Sequence, residues 1–423
     1  MSRCGTRVQH AGGQRARFPC ALLWWADMPL FAVGLLAAPA ALSASSSRLI
    51  PEREWRLAAE LHRSRVRRLL SPGFAPAPPP ALTKRGEPSA RMAGAADGFR
   101  KLDAAHPVFN FFEQYYGVTG GKGPRRLARW SPPLESPGGV LLEAATADDL
   151  GDGTLHLRGA QVLDGGRGVL YDPAACVPAD ASPFLWHRDV LAATEAAPPI
   201  TSCYGLHEWA MLYHPDGAPE PPSARYQGSA LQLRVDRETL NAAVEGGVSC
   251  THVDALRFFA PAAARHNRHG GRLERIDQLR LEQPGCVHAH MDLLKAALRL
   301  SPWLPAELLA DALEVAIAAR SLDVAASPYD ASAYGLPPIR VELPSGRDEY
   351  RAAQVELMHR AAPVRAALRA AFDAYLQAAF CPADVAAAEA APGEDRFAVA
   401  TPAGPPWRKA LLQRPERTSL PKR

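Results

Sequence analysis

The amino-acid sequence predicts an α+β protein, a mainly helical single domain with one small sheet. Apolar residues recur at helical spacing over most of the chain, whereas short alternating strands with glycine-rich turns are confined to residues 139–172. No internal repeat is visible. With 47% hydrophobic and 22% charged residues, the 423-residue chain has the composition of an ordinary globular core.

The N-terminal half of the domain begins with a helix. Residues 51–70 form a charged amphipathic pattern that starts with proline, a favoured first helical residue. Residues 71–98 are proline-rich and predict a flexible insertion. In the aromatic run that follows, Phe109, Phe112 and Tyr116 recur at helical spacing, which indicates a helix packed on the core.

The C-terminal half alternates helices with a few extended pieces. From Cys381 the chain is rich in alanine and proline and then basic, which predicts a disordered tail over residues 381–423 and a globular domain over residues 49–380. Helices are predicted at residues 183–196, 206–213, 286–300, 305–322 and 347–380, and strands at residues 248–259 and 339–343.

The first 48 residues differ from the rest of the chain. They hold five arginines, a serine cluster and a single acid, Asp27, which is the composition of an organelle transit peptide. The predicted destination is the chloroplast. The alternatives are a mitochondrion and the secretory route. The secretory route is an alternative because the apolar run 29–42 also resembles a signal sequence. That run is short and is interrupted by Pro39, so no stable membrane association is expected.

Beyond this leader the chain carries balanced charge. The whole excess of +4 lies in the first 48 residues. A basic face is the usual footprint of a protein that grips duplex DNA, and the overall charge gives no support to such a role. Seven cysteines without Cys-x-x-Cys spacing indicate buried thiols in a reducing compartment. The oligomeric state is not predicted.

Three segments share an order of cysteine, histidine and acid. The first holds His207 and Glu208, the second His252 and Asp254, and the third His288 and Asp292. Seven of the 13 histidines fall between residues 203 and 292. These side chains bind transition metals and move protons near neutral pH, so we expect at least two of the three histidines to line one pocket.

Each segment has its own predicted geometry. On a strand, His252 and Asp254 would face the same side, although Asp254 could equally cap local backbone or pair with an arginine. On a helix, His288 and Asp292 are four residues apart and share a face, with Lys295 one turn beyond. That pair could be a metal ligand set, a proton relay or a surface hydrogen bond.

The ordered series of motifs resembles one protein family. The chain is similar to a family of mostly bacterial proteins, also found in plastid-bearing eukaryotes, that carries the label 3-methyladenine DNA glycosylase. The match covers most of residues 49–380. The motifs are Ile50-Pro-Glu-Arg-Glu-Trp55, the aromatic run 106–116, Cys203-Tyr-Gly-Leu-His-Glu-Trp-Ala-Met211, Cys250-Thr-His-Val-Asp-Ala-Leu-Arg-Phe-Phe259, Gln283-Pro-Gly-Cys-Val-His288 and Ala326-Ser-Pro-Tyr-Asp330.

The resemblance implies a DNA base-excision glycosylase that acts on alkylated purines. Such an enzyme stacks a flipped base on aromatic side chains and uses a carboxylate on the developing sugar charge. The expected substrate-binding residues are then Trp209, Tyr213, Phe258 and Lys295, and the expected catalytic residues are Glu208, His252, Asp254, His288 and Asp292. The helix-hairpin-helix motif and the zinc-binding tail of known glycosylases are absent from the sequence.

Two other function classes fit the same residues. A metal-dependent hydrolase or oxygenase with a small-molecule substrate could hold zinc, iron or manganese through His207, His252 and His288 with one or more of the acids. No contiguous metal motif such as His-Glu-x-x-His is present, so the ligands would have to assemble in three dimensions. The third class is a binding module whose histidines are hydrogen-bonded core groups.

Overall fold

The computed structural model describes residues 47–71, 102, 105–118, 122–133, 139–151, 153–178, 180–221 and 231–390. Within these ranges the protein has the predicted α+β fold, mainly helical with one four-stranded mixed sheet. The helices are α1 (Glu52–Leu69), α2 (Pro107–Tyr115), α3 (Lys122–Leu127), α4 (Ala147–Gly151), α5 (Ser182–Ala196), α6 (Leu206–Ala210), α7 (Arg237–Glu245), α8 (Val253–Leu256), α9 (Gln278–Leu281), α10 (Val287–Leu300), α11 (Ala306–Ala326), α12 (Pro344–Ala379) and α13 (Pro382–Ala390). The strands are β1 (Arg48–Ile50), β2 (Val140–Glu143), β3 (Gln161–Leu163) and β4 (Gly168–Tyr171).

Helices α10, α11 and α12 build the main core. Helix α10 packs along α11, and α12 packs on both α11 and α5. Helix α11 is apolar around most of its circumference, as expected for a helix that is covered on several sides. Because α11 is so widely buried, any charged side chain on it needs a partner inside the protein.

The sheet has its own smaller core. The strand order is β1-β2-β4-β3, with β1 parallel to β2 and the other neighbours antiparallel. This core contains Leu142 of β2, Val169 of β4 and Trp55 of α1, all of them fully buried. The Trp55 indole also donates a hydrogen bond of 2.9 Å to the Glu143 carbonyl, which fixes α1 to the end of β2.

Several predicted boundaries are confirmed and others are wrong. Helices α1, α5, α10, α11 and α12 lie where the sequence predicts them, and the small sheet falls within residues 139–172 apart from β1. Arg48, assigned to the leader, is the first residue of β1 and donates its N–H to the Gly139 carbonyl. The predicted disordered tail begins with helix α13. The leader up to residue 46, the insertion beyond Ser71 and the tail from residue 391 lie outside the described residues.

Two segments predicted as strands adopt other structures. Residues 248–252 are extended, but Val248 forms only an isolated bridge with Asn267 and the chain turns into α8 at Val253. The side-chain amide of Asn267 accepts a hydrogen bond from the Cys250 N–H and donates one to the Cys250 carbonyl. These backbone groups are therefore satisfied without a second strand. Residues 339–343 form no strand ladder. The N–H groups of Val341 and Leu343 donate hydrogen bonds to the nearby carbonyls of Ile339 and Arg340.

The sheet requires glycine at position 168. Gly168 has φ = 134°, and a Cβ there would lie 2.1 Å from the Leu142 carbonyl oxygen. We expect Gly168→Ala to destabilise the protein by about 1–3 kcal/mol in urea unfolding. Gly166→Ala is the control, because Gly166 also has positive φ but open space around its Cβ position. An equal loss in the two variants would show that the close approach to β2 carries no cost.

Three histidines, of which His290 is buried and His156 and His187 are half-buried, make stability depend on pH. Burial, reinforced by nearby arginines, lowers the pKa of His156, His187 and His290 to about 3. Each is neutral when folded and binds a proton when unfolded, so its contribution is complete above pH 6.5 and is lost as pH falls towards 3. His252, whose pKa is raised, acts in the opposite direction.

We therefore expect the free energy of unfolding to fall as the pH drops from 6.5 to 5. In His156→Gln, which removes one of these groups, the fall should be shallower by up to about 1.4 kcal/mol per pH unit. Thermal and urea unfolding at pH 7.5, 6 and 5 measure the slope. An unchanged slope in the variant would contradict the assignment of His156 as a neutral buried group.

Among the helices of the described residues, none is long and apolar enough to cross a membrane.

Candidate metal centre

The three histidines of the sequence motifs lie side by side. The His207 and His288 rings meet edge to face with centroids 4.4 Å apart, and the His252 ring stacks on His288 at 5.0 Å. All three side chains are buried. The predicted convergence is confirmed, and it brings together residues from three separate parts of the chain.

Helix α6 presents His207 from its first turn. Gly205 precedes α6 with φ = 66°, and a Cβ there would approach the Ala326 side chain to 3.2 Å. The Trp209 indole donates a 2.9 Å hydrogen bond to the Ala326 carbonyl at the end of α11. Helix α6 is therefore held tightly against α11, and His207 faces into the protein.

His252 and Asp254 are positioned differently from the prediction. His252 ends the extended segment and precedes α8, whereas Asp254 lies in the first turn of that helix. The Asp254 carboxylate accepts hydrogen bonds from Arg275, one of them 2.7 Å long, and Lys295 and Arg257 each lie 3.3 Å from it. Asp254 is thus an ion-pair centre, which is the alternative that the sequence left open.

Helix α10 places His288 and Asp292 on one face, as predicted. The Tyr116 hydroxyl donates a 2.9 Å hydrogen bond to Asp292 Oδ1, and Lys295 Nζ lies 3.4 Å from Oδ2. Burial acts to raise the pKa of Asp292, but Lys295 and His252 outweigh it and hold the pKa well below its usual range. Asp292 is an ionised carboxylate next to the histidines.

Asp323 of α11 is a site residue that the sequence motifs do not reveal. Its side chain is completely buried, and its Oδ1 lies 3.0 Å from His207 Nε2. Apart from this contact, neither atom has a hydrogen-bond partner among the described residues. The available signal was the pair Arg320 and Asp323 in the second half of a helix whose other charged residues, Glu307, Asp311 and Glu314, lie in its first half.

Arg320 ties Asp323 to another acid of the motifs. Its guanidinium hydrogen-bonds Asp323 Oδ2 and donates a 2.7 Å hydrogen bond to Glu208 Oε1. The same guanidinium lies over the Phe111 ring, 4.6 Å from the centroid. Glu208, a predicted catalytic carboxylate, is therefore engaged in an ion pair that also holds Asp323.

Glu282 is a second acid that the sequence analysis missed. It lies just before the Pro284-Gly285 break, is only 2% exposed, and places Oε2 3.4 Å from His252 Nε2. Gln278 donates a 2.8 Å hydrogen bond to the same oxygen, whereas Oε1 has no partner among the described residues. The sequence signal for Glu282 was the position of an acid beside the Pro284-Gly285 break, immediately before the segment that holds His288.

The electrostatic environment gives His288 and His252 opposite protonation tendencies. Burial, together with neighbouring His207 and His252, lowers the pKa of His288 well below 6.5. Burial also acts to lower the pKa of His252, but Glu282 and Asp292 outweigh it and raise that pKa. His288 is accordingly neutral at physiological pH, which is the form that binds metals.

The aromatic residues expected to bind a base lie in two different environments. Trp209 is fully buried, and Tyr213 is buried with its hydroxyl hydrogen-bonded to Glu245 at 2.8 Å. As packed here, both are core residues without a face open to a ligand. Phe258 is half-buried at the outer side of the cluster, where the Arg257 guanidinium lies 4.7 Å from its ring centroid.

A small cavity adjoins His207 and His288. It offers space for about one water molecule and is bordered by the thiols of Cys203, Cys250 and Cys286. Burial raises the pKa of all three thiols, to about 12 for Cys250. Protonated thiols are poor zinc ligands, in agreement with their interpretation as buried packing groups.

Two sets of side chains have ligand atoms close enough for a metal ion. In the first, His207, His288 and Asp323 place one ligand atom each within 4.8 Å of one another, and all three residues are buried. We name this set the first triad. In the second set, His252, Asp254 and Asp292 satisfy the same limit.

Comparisons with known proteins do not assign the chain to a family. No protein-family model, curated protein or solved structure matches it.

Proposed function

We propose that the protein is a metal-dependent enzyme whose ion is held by the first triad, and that it acts as a hydrolase on a small-molecule substrate. The observation that carries this proposal is the contact between His207 Nε2 and Asp323 Oδ1. These two buried polar atoms lie 3.0 Å apart, and apart from this contact neither has a hydrogen-bond partner among the described residues. Buried polar groups with so few partners are well placed to share a third atom as ligands.

The spacing of these atoms fits metal coordination. Nitrogen and oxygen ligands lie about 2.0–2.2 Å from a zinc ion, and neighbouring ligands of an octahedral shell are then about 3.0 Å apart. Two imidazoles and one carboxylate suit zinc, manganese or iron and leave coordination positions open. Arg320 supports the arrangement, because it fixes the second oxygen of Asp323.

Hydrolysis is the reaction best supported by the surroundings. The water-sized cavity adjoins both histidines of the first triad, so a nucleophile could be accommodated beside the ion. A bound divalent ion would polarise such a water or the substrate oxygen. An iron-dependent oxygenase uses the same ligand types, and the identity of the bound ion separates the two classes.

Metal analysis of tag-free protein tests the proposal. After chelator treatment the protein is dialysed against Zn²⁺, Mn²⁺ or Fe²⁺ under anaerobic conditions, and the retained metal is counted by mass spectrometry. We expect at least one ion per chain, with zinc or manganese supporting hydrolysis and a strict preference for iron supporting oxygenation. Protein that retains none of the three ions would contradict a metal enzyme.

A DNA glycosylase for alkylated purines is the second candidate. It is supported by the family resemblance of the sequence and by two features near the ionised carboxylates of Asp254 and Asp292. Partly exposed Lys295 contacts both carboxylates, and Arg257, which pairs with Asp254, lies over the half-buried Phe258 ring. The burial of Trp209 and Tyr213 removes two of its expected stacking residues. Release of alkylated purine from DNA by metal-free protein would favour this candidate. If the protein neither binds metal nor releases a base, the binding module becomes the working hypothesis.

A further inference from the structure

A second group of buried polar atoms lies beside the first triad and is not explained by it. Both ring nitrogens of His252 and Oε1 of Glu282 lack hydrogen-bond partners among the described residues. His252 is 1% exposed and Glu282 is 2% exposed, so solvent does not satisfy them directly. Asp292 completes the group with its Oδ2, 3.5 Å from His252 Nε2.

The distances from His252 to the two carboxylates are longer than those of well-formed charged hydrogen bonds. His252 Nε2 lies 3.4 Å from Glu282 Oε2 and 3.5 Å from Asp292 Oδ2, whereas charged hydrogen bonds of this kind are about 2.7–2.9 Å long. Ligand atoms about 2.0–2.2 Å from a tetrahedral ion are about 3.4 Å apart. The His252 nitrogen therefore lies from each of the two carboxylate oxygens at the separation that a shared cation imposes.

Neighbouring residues already orient the two carboxylates. Gln278 donates a hydrogen bond to Glu282, and the Tyr116 hydroxyl donates one to Asp292. Such outer contacts are typical of metal ligands, because they fix the direction in which a carboxylate presents its lone pairs. Asp254 is less suitable, since Arg275, Lys295 and Arg257 already surround its carboxylate.

We infer that His252, Glu282 and Asp292, here named the second triad, bind a second divalent cation next to the ion of the first triad. The inference deepens the proposed function and rests on it, because a second ion turns a mononuclear centre into a dinuclear one. The stacked rings of His252 and His288 place the two triads in direct contact. Paired ions are a recurring device for hydrolysis, in which they act on the attacking and leaving oxygens together.

Metal stoichiometry tests the inference on the full-length protein. Metal-free wild-type protein is titrated with Mn²⁺ by calorimetry and its bound metal is counted after dialysis. We expect about two ions per chain for wild type and about one for Glu282→Gln, with at least about 100-fold weaker binding at the second triad, since even outer partners of a ligand contribute about 10–100-fold. Glu342→Gln is the matched control, because Glu342 is another buried glutamate, paired with Arg234.

The outcomes separate this inference from the proposed function. A wild-type protein that binds one ion, loses it in Asp323→Asn and keeps it in Glu282→Gln would overturn the second triad and leave the proposed function intact. One ion lost in Glu282→Gln but kept in Asp323→Asn would support the second triad and remove the first. No binding at all would overturn both. If Glu282→Gln does not fold, the number of ions bound by the wild-type protein still decides, because two ions support the second triad and one ion contradicts it.

Discussion

Asp323→Asn should abolish metal binding at the first triad. The substitution keeps the side-chain volume but replaces a carboxylate by a neutral amide, which is a much weaker ligand for zinc or manganese. Asp323 is completely buried, so no solvent-exposed group can take its place. We expect metal affinity at this triad to fall at least about 100-fold, beyond the effect of losing an outer contact, and any metal-dependent activity to disappear with it.

The control for this variant is Asp149→Asn. Asp149 is also a largely buried carboxylate paired with an arginine, Arg56, but it lies beside the small sheet. It should keep wild-type metal content. Both variants are first checked by circular dichroism without metal, so that loss of metal is not confused with loss of fold. Folded Asp323→Asn protein with wild-type affinity would contradict the role of Asp323 as a ligand.

Arg320→Gln should cause the largest loss of stability at the site. Arg320 is the shared cation of Glu208 and Asp323, and burial is outweighed by these two acids so that its pKa is raised. Without it, the buried Asp323 carboxylate and the half-buried Glu208 carboxylate lose the cation that they share. Breaking a buried ion pair from one side typically costs about 3–5 kcal/mol, and we expect a loss of that size in urea unfolding at pH 7.

Two further measurements identify the cause of that loss. The double variant Glu208→Gln with Arg320→Gln lacks one of the two carboxylates. It should therefore be more stable than the single variant Arg320→Gln. In Arg320→Gln the buried Asp323 carboxylate loses a charge that lowers its pKa against burial, so it should penalise the fold at high pH and less as protonation neutralises it. The deficit relative to wild type should therefore shrink between pH 7 and pH 5. A deficit below about 1 kcal/mol, independent of pH, would mean that Arg320 is not the needed counter-charge.

The sequence predicted the helices and the shared neighbourhood of the histidines better than it predicted the acids beside those histidines. Helix α10 was found because His288 and Asp292 sit four residues apart on an apolar background, a local relation that needs no tertiary information. Asp323 and Glu282 belong to no such pattern. Their proximity to His207 and His252 arises only when α11 and the segment before α10 pack together, and single-sequence periodicity does not contain that packing.

The error at residues 248–259 has a similar origin. Alternation of side chains correctly indicated extended backbone up to His252, but a strand also requires a neighbour. The Asn267 side chain occupies the backbone groups of Cys250 that a neighbouring strand would use, and α8 begins immediately afterwards. Asp254 therefore lies in the first turn of a helix instead of on a strand, in an ion-pair cluster with Arg275.

The three thiols around the cavity bear on how the protein would respond to heavy metals. While protonated, Cys203, Cys250 and Cys286 offer little to zinc or manganese, which favour the imidazoles and carboxylates. Mercury and cadmium are much softer and displace thiol protons readily. The same ring of cysteines should therefore capture these ions beside His207 and His288, which would make the protein prone to poisoning by mercury and would give crystallographers a ready heavy-atom derivative.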